Sequence, residues 1–327
     1  MKPYITVFTP AYNKGDTISR TFHSLLSQTC FDFEWLIIND GSTDNTDAIV
    51  RGFKTENFLI RYISKGNEGL GRTFNEGVQQ ANGDLIFRLD PDDYLSHNAI
   101  EQILNYRNLL NDDQICALVF LTKFDNGENV GYHPYEDECF RSNFVKYRLL
   151  DNATGDRAEV VKTKVFKEFP WPTFENEKFC LETLIWHPMG HKYDAFYIKK
   201  AIYIREYNQY SITAAGSKTY INNPVGTMAV TSYLVKELLE YNNFTKFGYA
   251  VLKNAITYWR YGLNAKNYQK QMWTSLPFWI NIIAFIPGWC LFRIDKINPR
   301  IINKLTKRLK SFRNKDNFSN LIIKNNH

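Results

Sequence analysis

The first 90 residues of the chain alternate between apolar segments and amphipathic segments. The apolar segments cover residues 4–9, 33–38, 60–63 and 85–89, and each is bounded by turn residues. The segments between them carry apolar residues at helical spacing, as Ile18, Phe22 and Leu25 do. Alternation of this kind predicts an α/β fold with a mostly parallel sheet and helices on both faces.

Polar side chains follow each of the four predicted strands. They are Asn13, Asp40, Asn67 and Asp90. Ligands of open parallel sheets bind beyond the carboxyl ends of the strands, where such side chains meet. We therefore expect all four to lie at one edge of the sheet and to bind a ligand there.

The fourth predicted strand ends in an acidic turn, residues 90–93, which places Asp90, Asp92 and Asp93 within four residues. Like charges at this spacing cost free energy unless a cation binds, and Mg²⁺ or Mn²⁺ suits oxygen ligands and a diphosphate. A solvated turn before the next helix is the alternative. A calcium loop is disfavoured because Tyr94 and Leu95 stand where it needs an oxygen ligand and a glycine. The convergence at the sheet edge favours the metal site.

The expected ligand is not a Rossmann dinucleotide or a P-loop nucleotide. The first predicted strand is followed by neither Gly-x-Gly-x-x-Gly nor Gly-Lys-Ser/Thr. Phosphates would then be held by metal and by basic groups such as Lys65 and Arg72. The Asp40 carboxylate suits a base edge or a ribose hydroxyl, although it could also be an ordinary turn residue before Gly41.

Five short motifs resemble those of family 2 glycosyltransferases of GT-A fold, and the resemblance covers about residues 4 to 124. The motifs occupy residues 9–13, 39–44, 67–69, 83–84 and 89–93. The resemblance implies an inverting transfer from a nucleotide-diphospho-sugar, usually UDP-linked, with Mg²⁺ or Mn²⁺.

The resemblance also implies roles for individual residues. Pro10, Tyr12 and Asp40 would hold the nucleotide base, and Asp90 would lie near the ribose. Asp92 would bind the metal on the diphosphate, with Asp93 as a second metal candidate.

An inverting transfer needs a carboxylate general base within reach of the acceptor hydroxyl. Residues 174–182 resemble the acceptor region of a bacterial polysaccharide subgroup of the family, and Glu177 is the first candidate, followed by Glu182 and Glu175. Spacing would allow Glu175, Glu182 and Trp186 to share one helix face, unless these acids simply face water.

Two further groups are candidates by position. Asp156 and Arg157 could bind the donor or form an internal ion pair. His187 and His191 have a metal-like spacing, although Pro188 lies between them and a structural role is the simpler reading.

We predict a catalytic domain over residues 1–215, with a nucleotide-sugar half (1–124) and an acceptor half (125–215), and a helical region over 216–327. Residues 207–213 resemble a family segment that closes over the donor. Residues 223–241 and 244–261 are predicted helices.

The apolar segment 273–292 is long enough to span a bilayer, but its prolines favour a re-entrant or interfacial segment with a broken backbone. A buried helical hairpin is the alternative. A basic amphipathic helix over 296–313 suits anionic lipid, and without a base-reading motif nucleic acid is not an expected partner.

The whole composition is that of a globular enzyme, with 44% hydrophobic residues and a net charge of +6. Five scattered cysteines and a start without a signal-peptide pattern favour a cytoplasmic setting. We expect an enzyme on the cytoplasmic side of the membrane that moves a sugar from a UDP-sugar to a glycan, on a polyprenyl-diphosphate lipid, for capsule, O-antigen or exopolysaccharide. A nucleotidyltransferase and an inactive membrane scaffold are the rivals.

Overall fold

The computed structural model describes residues 2–206, 217–265 and 267–297. The chain divides into two compact units, Met1–Thr219 and Tyr220–His327. The predicted segment 207–213 and nearly all of the predicted helix 296–313 lie outside the described residues.

The described part of the first unit contains one mixed sheet. Its strands are β1 (Ile5–Ala11), β2 (Phe33–Asp40), β3 (Leu59–Lys65), β4 (Leu85–Arg88), β5 (Tyr94–Leu95), β6 (Ile115–Phe124), β7 (Cys139–Ser142), β8 (Arg157–Lys162) and β9 (Asp194–Arg205). The strand order is β3-β2-β1-β4-β8-β6-β9-β5, and β7 pairs with β9. The first four strands are parallel, as the alternation predicts, and β8 is antiparallel to both β4 and β6.

The described helices of this unit connect the strands. They are α1 (Ile18–Leu26), α2 (Thr46–Gly52), α3 (Leu70–Gln80), α4 (Ala99–Asn105), α5 (Thr163–Glu168) and α6 (Thr183–Lys192). A 3₁₀ helix, Arg107–Asn111, and a π-helical turn, Lys146–Leu150, complete the set. The predicted α/β class with a mostly parallel sheet is confirmed.

Helices pack on both faces of the parallel strands because these strands are apolar on both sides. On one face, Phe22 of α1 stacks on Trp35 of β2 at 5.8 Å between ring centroids. On the other face, Phe8 of β1 meets Phe74 of α3 edge to face at 6.0 Å. Trp35 and Phe8 are fully buried, so both faces of the sheet form core.

The segment before α6 differs from the prediction. Residues 175–182 contain turns rather than helix, and α6 begins at Thr183. Glu175, Glu182 and Trp186 therefore cannot share a helix face, and that prediction is wrong. Asn176 has φ 60°, outside the right-handed helical region, and Arg72 donates to the carbonyls of Phe174 and Glu177.

The second unit is helical. Its helices are α8 (Pro224–Glu240), α9 (Phe244–Gly262), α10 (Gln269–Ser275) and α11 (Phe278–Ile297); α7 (Ser217–Asn222) crosses the boundary between the units. The predicted helices 223–241 and 244–261 agree with α8 and α9. Asn243 caps α9 by accepting a hydrogen bond from the Lys246 N–H at 3.0 Å.

Helix α11 does not break at both prolines. Pro277 lies between α10 and α11, but Pro287 lies inside α11. The prediction of a backbone broken at each proline is therefore wrong at Pro287. Polar contacts fasten α11 to α9, since Asn281 accepts from Trp259 Nε1 at 3.1 Å and Asp295 pairs with Arg260 at 2.7 Å.

Candidate active site

Side chains of helix α1 and its N-cap hold the acidic turn by hydrogen bonds to the backbone carbonyls of the turn. Thr17 Oγ1 donates to the Pro91 carbonyl at 2.8 Å, and Thr21 Oγ1 donates to the Asp93 carbonyl at 2.8 Å. Arg20 Nη2 donates to the Asp92 carbonyl at 2.5 Å. Positions 17, 20 and 21 lie on one helix face, so a single face of α1 fixes three consecutive carbonyls. The carboxylates of the turn take no part in these three hydrogen bonds.

Asp90 is bound by an arginine from its own strand. Arg88 donates to both carboxylate oxygens of Asp90, at 2.7 and 3.1 Å, and to Glu182 Oε1 at 2.6 Å. Burial by itself would lower the pKa of Arg88, but Asp90 and Glu182 raise it well above its usual value. Arg88 therefore stays charged and ties Glu182 to the acidic turn.

Asp92 bonds to a lysine from the β1–α1 loop. Lys14 Nζ lies 2.5 Å from Asp92 Oδ2, and both side chains are partly exposed, at 33% and 27%. Solvent can therefore reach the Asp92 carboxylate, and its partner is a long lysine side chain.

Asp93 is the buried member of the turn. Its Oδ2 accepts from the Tyr203 hydroxyl at 2.9 Å and lies 3.6 Å from Arg205 Nε, and its Oδ1 accepts from the Glu206 N–H at 3.3 Å. Burial, followed by the charges of Asp90 and Asp92, raises the pKa of Asp93 to about 7. Asp93 therefore mainly fastens the turn to β9.

The residues present fit a divalent ion held chiefly by substrate. No group of three or more His, Cys, Asp or Glu side chains within 2–206, 217–265 and 267–297 forms a metal cage. Mg²⁺ is commonly held by one or two carboxylates together with substrate phosphates, and Mn²⁺ accepts the same oxygen ligands. Asp92 can supply such a carboxylate, whereas Asp90 and Asp93 are held by Arg88 and Tyr203.

The loops after β1 and β2 form the predicted nucleotide side of the edge. Tyr12 follows Pro10 and Ala11 and is 47% exposed, so its ring can meet a ligand. Asn13 adopts φ 51° and accepts from the Thr43 N–H at 2.8 Å, which joins the two loops.

Asp40 organises the loop before α3. Its two carboxylate oxygens each accept one backbone N–H, from Glu68 and from Gly69, both at 2.8 Å. Gly69 has φ 94°, and a Cβ there would lie 2.5 Å from the Lys178 carbonyl oxygen, so only glycine fits. Asp40 is 5% exposed, and these two bonds use one lone pair on each of its carboxylate oxygens.

The predicted phosphate-binding cations are engaged within the protein. Lys65 pairs with Glu68 at 2.7 Å and with Glu76 at 3.0 Å. Arg72 donates to the carbonyls of Glu177 and Phe174, at 3.2 and 2.9 Å. Arg72 therefore anchors the loop before α6.

Asn67 also contacts the loop before α6. Its Oδ1 accepts from Lys178 Nζ at 2.6 Å. Together with Arg72, it links the loop before α3 to the loop before α6.

The three candidate bases differ in their surroundings. Glu182 contacts Arg88 and accepts from Trp186 Nε1 at 3.1 Å, with its side chain 40% exposed. Glu177 is 7% exposed, and its backbone lies against Arg72. Glu175 is exposed. Through Arg88, the structure brings Glu182 to the acidic turn.

Asp156 and Arg157 do not pair through their side chains with each other. Asp156 pairs with Arg205, the same arginine that approaches Asp93. Arg157 is buried and donates to the Tyr147 hydroxyl at 2.9 Å and to the carbonyls of Val130 and Tyr132. An ion pair between Asp156 and Arg157, one of the two alternatives, is therefore not formed, and Asp156 pairs with Arg205 instead.

His187 lies in α6 and is buried, at 6% exposed. It belongs to no group of potential metal ligands within the described residues.

Sequence reasoning missed several side chains of this edge, namely Lys14, Arg20, Arg88, Tyr203 and Arg205. An arginine inside an apolar strand two residues before an aspartate was a usable signal for Arg88. The others reach the turn from distant segments, Tyr203 from 113 residues away, and carry no local signal.

Comparison with known proteins relates the first half of the chain to one family. The model of glycosyl transferase family 2 matches residues 6–164. Over 116 residues the chain is 39% identical to chondroitin synthase of Pasteurella multocida, but this match covers 36% of the chain and 12% of the synthase. Over 315 residues it is 25% identical to the GalNAc(5)-diNAcBac-PP-undecaprenol beta-1,3-glucosyltransferase of Campylobacter jejuni, covering 93% and 97% of the two chains.

Solved structures show the same fold. S. aureus TarS in complex with UDP-GlcNAc has a TM-score of 0.58 and 17% identity, over 90% of each chain. The mannosyltransferase PcManGT of Pyrobaculum calidifontis, in complex with GDP-Man and Mn²⁺, has a TM-score of 0.52 and 13% identity, over 90% of this chain and 88% of that one. Residues 6–164 thus match glycosyl transferase family 2, and the chain has a GT-A fold.

Proposed function

We propose that this enzyme transfers a sugar from a UDP-sugar to a hydroxyl of a glycan acceptor, with inversion at the anomeric carbon. The match of residues 6–164 to the model of glycosyl transferase family 2 supports the reaction class. The observation that carries the proposal is the chain of contacts Glu182–Arg88–Asp90. It puts a candidate base beside the acidic turn at the ligand-binding edge of the sheet.

The donor would lie along the loops after β1, β2 and β4. Tyr12 offers an exposed ring to the uracil, and Asp40 offers carboxylate lone pairs to its edge. Asp92 would hold a divalent ion on the diphosphate, and that ion would neutralise charge on the leaving group. Asp90 would face the ribose with its position fixed by Arg88.

The chemical step needs one proton acceptor. The acceptor oxygen attacks the anomeric carbon from the face opposite the diphosphate, the new C–O bond forms, the bond to the diphosphate breaks and UDP leaves. Glu182 takes the hydroxyl proton. Arg88 and Trp186 hold one oxygen each of its carboxylate, which fixes its orientation.

Glu182→Gln tests this assignment. We expect turnover to fall by about 10²–10⁴-fold, the range usual for loss of general base catalysis, while UDP binding is retained. UDP release reports turnover, and the anomeric proton coupling in the NMR spectrum of the product reports inversion. Exposed Glu175→Gln is the matched control. Loss of turnover in Glu177→Gln with normal turnover in Glu182→Gln would transfer the role to Glu177.

Two measurements, UDP release and glycan assembly, separate the rival functions. A nucleotidyltransferase would form a nucleotide-sugar rather than release UDP from one. A scaffold without activity would support glycan assembly equally well with Asp92→Ala.

We also propose a lipid-linked acceptor and a membrane surface as partners, with the active site on the cytoplasmic side. The Campylobacter relative is named for an undecaprenol-linked substrate. Helix α11 is long and apolar enough to cross a membrane by length and composition, with a mean hydropathy of 1.3 over Phe278–Lys296 and 28% of that window buried.

The two faces of α11 favour lying on the membrane over crossing it. Ile282, Ile283 and Ile286 are 56%, 52% and 65% exposed. The opposite face carries Asn281 and Asp295, which bind α9. A helix held to protein by two polar side chains on one face, with an apolar outer face, suits one leaflet of a bilayer.

A further inference from the structure

We propose that Lys14 occupies the place of the divalent cation on Asp92 in the donor-free enzyme, and that the incoming nucleoside diphosphate exchanges it for the metal. The inference rests on the proposed function, because it assumes a diphosphate donor bound with a divalent ion. It adds a protein cation whose displacement would couple the binding of metal to the binding of donor.

The backbone of Lys14 is fixed, so its ammonium is delivered to Asp92 by the fold. The Lys14 N–H donates to Thr46 Oγ1 at 2.8 Å, and the next N–H, that of Gly15, donates to Asp44 Oδ2 at 3.0 Å. The Lys14 carbonyl accepts from the Ile18 N–H at 3.0 Å, at the start of α1. Only the side chain of Lys14 is left to move.

The three carboxylates of the acidic turn differ in how firmly they are held. Asp90 makes two bonds to Arg88, and Asp93 is held by a buried hydroxyl, a backbone N–H and Arg205. Within the described residues, the Asp92 carboxylate is bound by the side chain of Lys14, which is 33% exposed. Asp92 is therefore the carboxylate of this turn whose partner can be exchanged at low cost.

A divalent ion on Asp92 Oδ2 would meet the ammonium, which lies 2.5 Å from that oxygen. Two cations on one carboxylate oxygen repel, so the metal and the lysine compete for Asp92. A bound diphosphate changes this competition, because it supplies further oxygens to the metal and new negative charge to the displaced ammonium.

The competition has a thermodynamic consequence. Without nucleotide, Lys14 weakens metal binding. With nucleotide, the penalty is removed, so each ligand strengthens the binding of the other, by the same factor in both directions. Lys14 thus disfavours metal alone and favours metal bound together with a diphosphate.

The test measures Mn²⁺ binding without turnover. Free Mn²⁺ is followed by electron paramagnetic resonance in titrations of the full chain, with and without UDP. For Lys14→Met without UDP we expect Mn²⁺ to bind about tenfold more tightly than in the unmodified enzyme, equivalent to about 1.4 kcal/mol. The factor by which UDP tightens Mn²⁺ binding should shrink by a similar amount.

Lys2→Met is the matched control, because Lys2 also lies 2.5 Å from an aspartate, Asp84, which precedes β4 whereas the acidic turn follows it. We expect it to leave both Mn²⁺ titrations unchanged. Lys14→Gln repeats the test with a polar side chain, so that an effect specific to methionine is recognised. Asp92→Asn should abolish the tighter binding in every background.

The outcomes distinguish a failure of the Lys14 exchange from a failure of the proposed function. If UDP and Mn²⁺ bind the unmodified enzyme but neither Lys14 variant tightens Mn²⁺ binding, the exchange is wrong and the proposed function stands. If Mn²⁺ and UDP fail to bind the unmodified enzyme at all, both are wrong.

Discussion

Glu159 is a carboxyl in an unfavourable position for its charge. It lies in β8 opposite Val119 of β6. Burial raises the pKa of Glu159 to about 7, Arg148 opposes that rise, and Glu182 adds to it. In an unfolded chain the group would titrate near 4.5. The folded protein therefore binds this proton more tightly than the unfolded chain does.

The sign of the resulting pH dependence follows from linkage. Between pH 4.5 and about 7 the unfolded chain ionises Glu159 while the folded protein keeps it protonated, so the free energy of unfolding falls as the pH rises. Glu159→Gln removes this loss. Between pH 4 and pH 8 the unmodified protein should lose about 1–3 kcal/mol more than the variant.

Urea unfolding of both proteins at pH 4 and pH 8 measures this difference. Glu128→Gln, at an exposed position, is the control and should behave as the unmodified protein does. Equal pH dependence in Glu159→Gln and the unmodified protein would show that the Glu159 carboxyl is solvated.

The acidic turn shows which features of the site can be predicted from the sequence. Asp90, Asp92 and Asp93 were recognised as a group because they are adjacent in sequence. Their different partners were not, because Lys14 lies 78 residues from Asp92 and Tyr203 lies 110 residues from Asp93. Contacts of this range depend on how the strands are arranged, and periodicity carries no information about them.

At the scale of elements, α3 packs closely on β1 at Gly77. A Cβ added to Gly77 would lie 2.4 Å from Cζ and 2.5 Å from Cε2 of Phe8, whose ring is fully buried. Alanine in a helix interior is intrinsically favoured over glycine by about 1 kcal/mol. At Gly77 the cost of overpacking should exceed this gain, because the Phe8 ring has no space to move into.

We therefore expect Gly77→Ala to lower the free energy of unfolding by about 1–3 kcal/mol. Gly52→Ala is the matched helical control, since a Cβ there meets nothing within 4 Å. Chemical denaturation of the two variants gives the comparison. A Gly77→Ala protein as stable as Gly52→Ala would mean that the Phe8 ring can shift.

Elements with strong local patterns were predicted well, and those defined by long-range pairing were not. Strands β1 to β4 and helices α8 and α9 follow from apolar spacing and from turn residues such as Gly83. Strand β8 was missed because it is inserted antiparallel between β4 and β6, a placement that no local pattern encodes. Strands β5 and β7, of 2 and 4 residues, are too short to give a periodic signal.

At the scale of the whole molecule, the exposed apolar face of α11 should control where the enzyme resides. We expect Ile283→Asp combined with Ile286→Asp to abolish binding to anionic vesicles, because each charge would have to enter the apolar boundary of the bilayer. Vesicle co-sedimentation measures this. Leu59→Asp is the matched control, since Leu59 is also exposed, at 58%, but lies in β3.

Cys290 distinguishes a helix on the membrane surface from one that has no contact with lipid. Its thiol is exposed on α11, whereas Cys116 and Cys180 are buried. Anionic vesicles should therefore slow its reaction with a membrane-impermeant maleimide, and Cys290→Ser should remove the vesicle-sensitive part of the labelling. Labelling at the same rate with and without vesicles would place α11 in water. The Asn281 and Asp295 contacts to α9 would be kept in either case, because they lie on the other face of the helix.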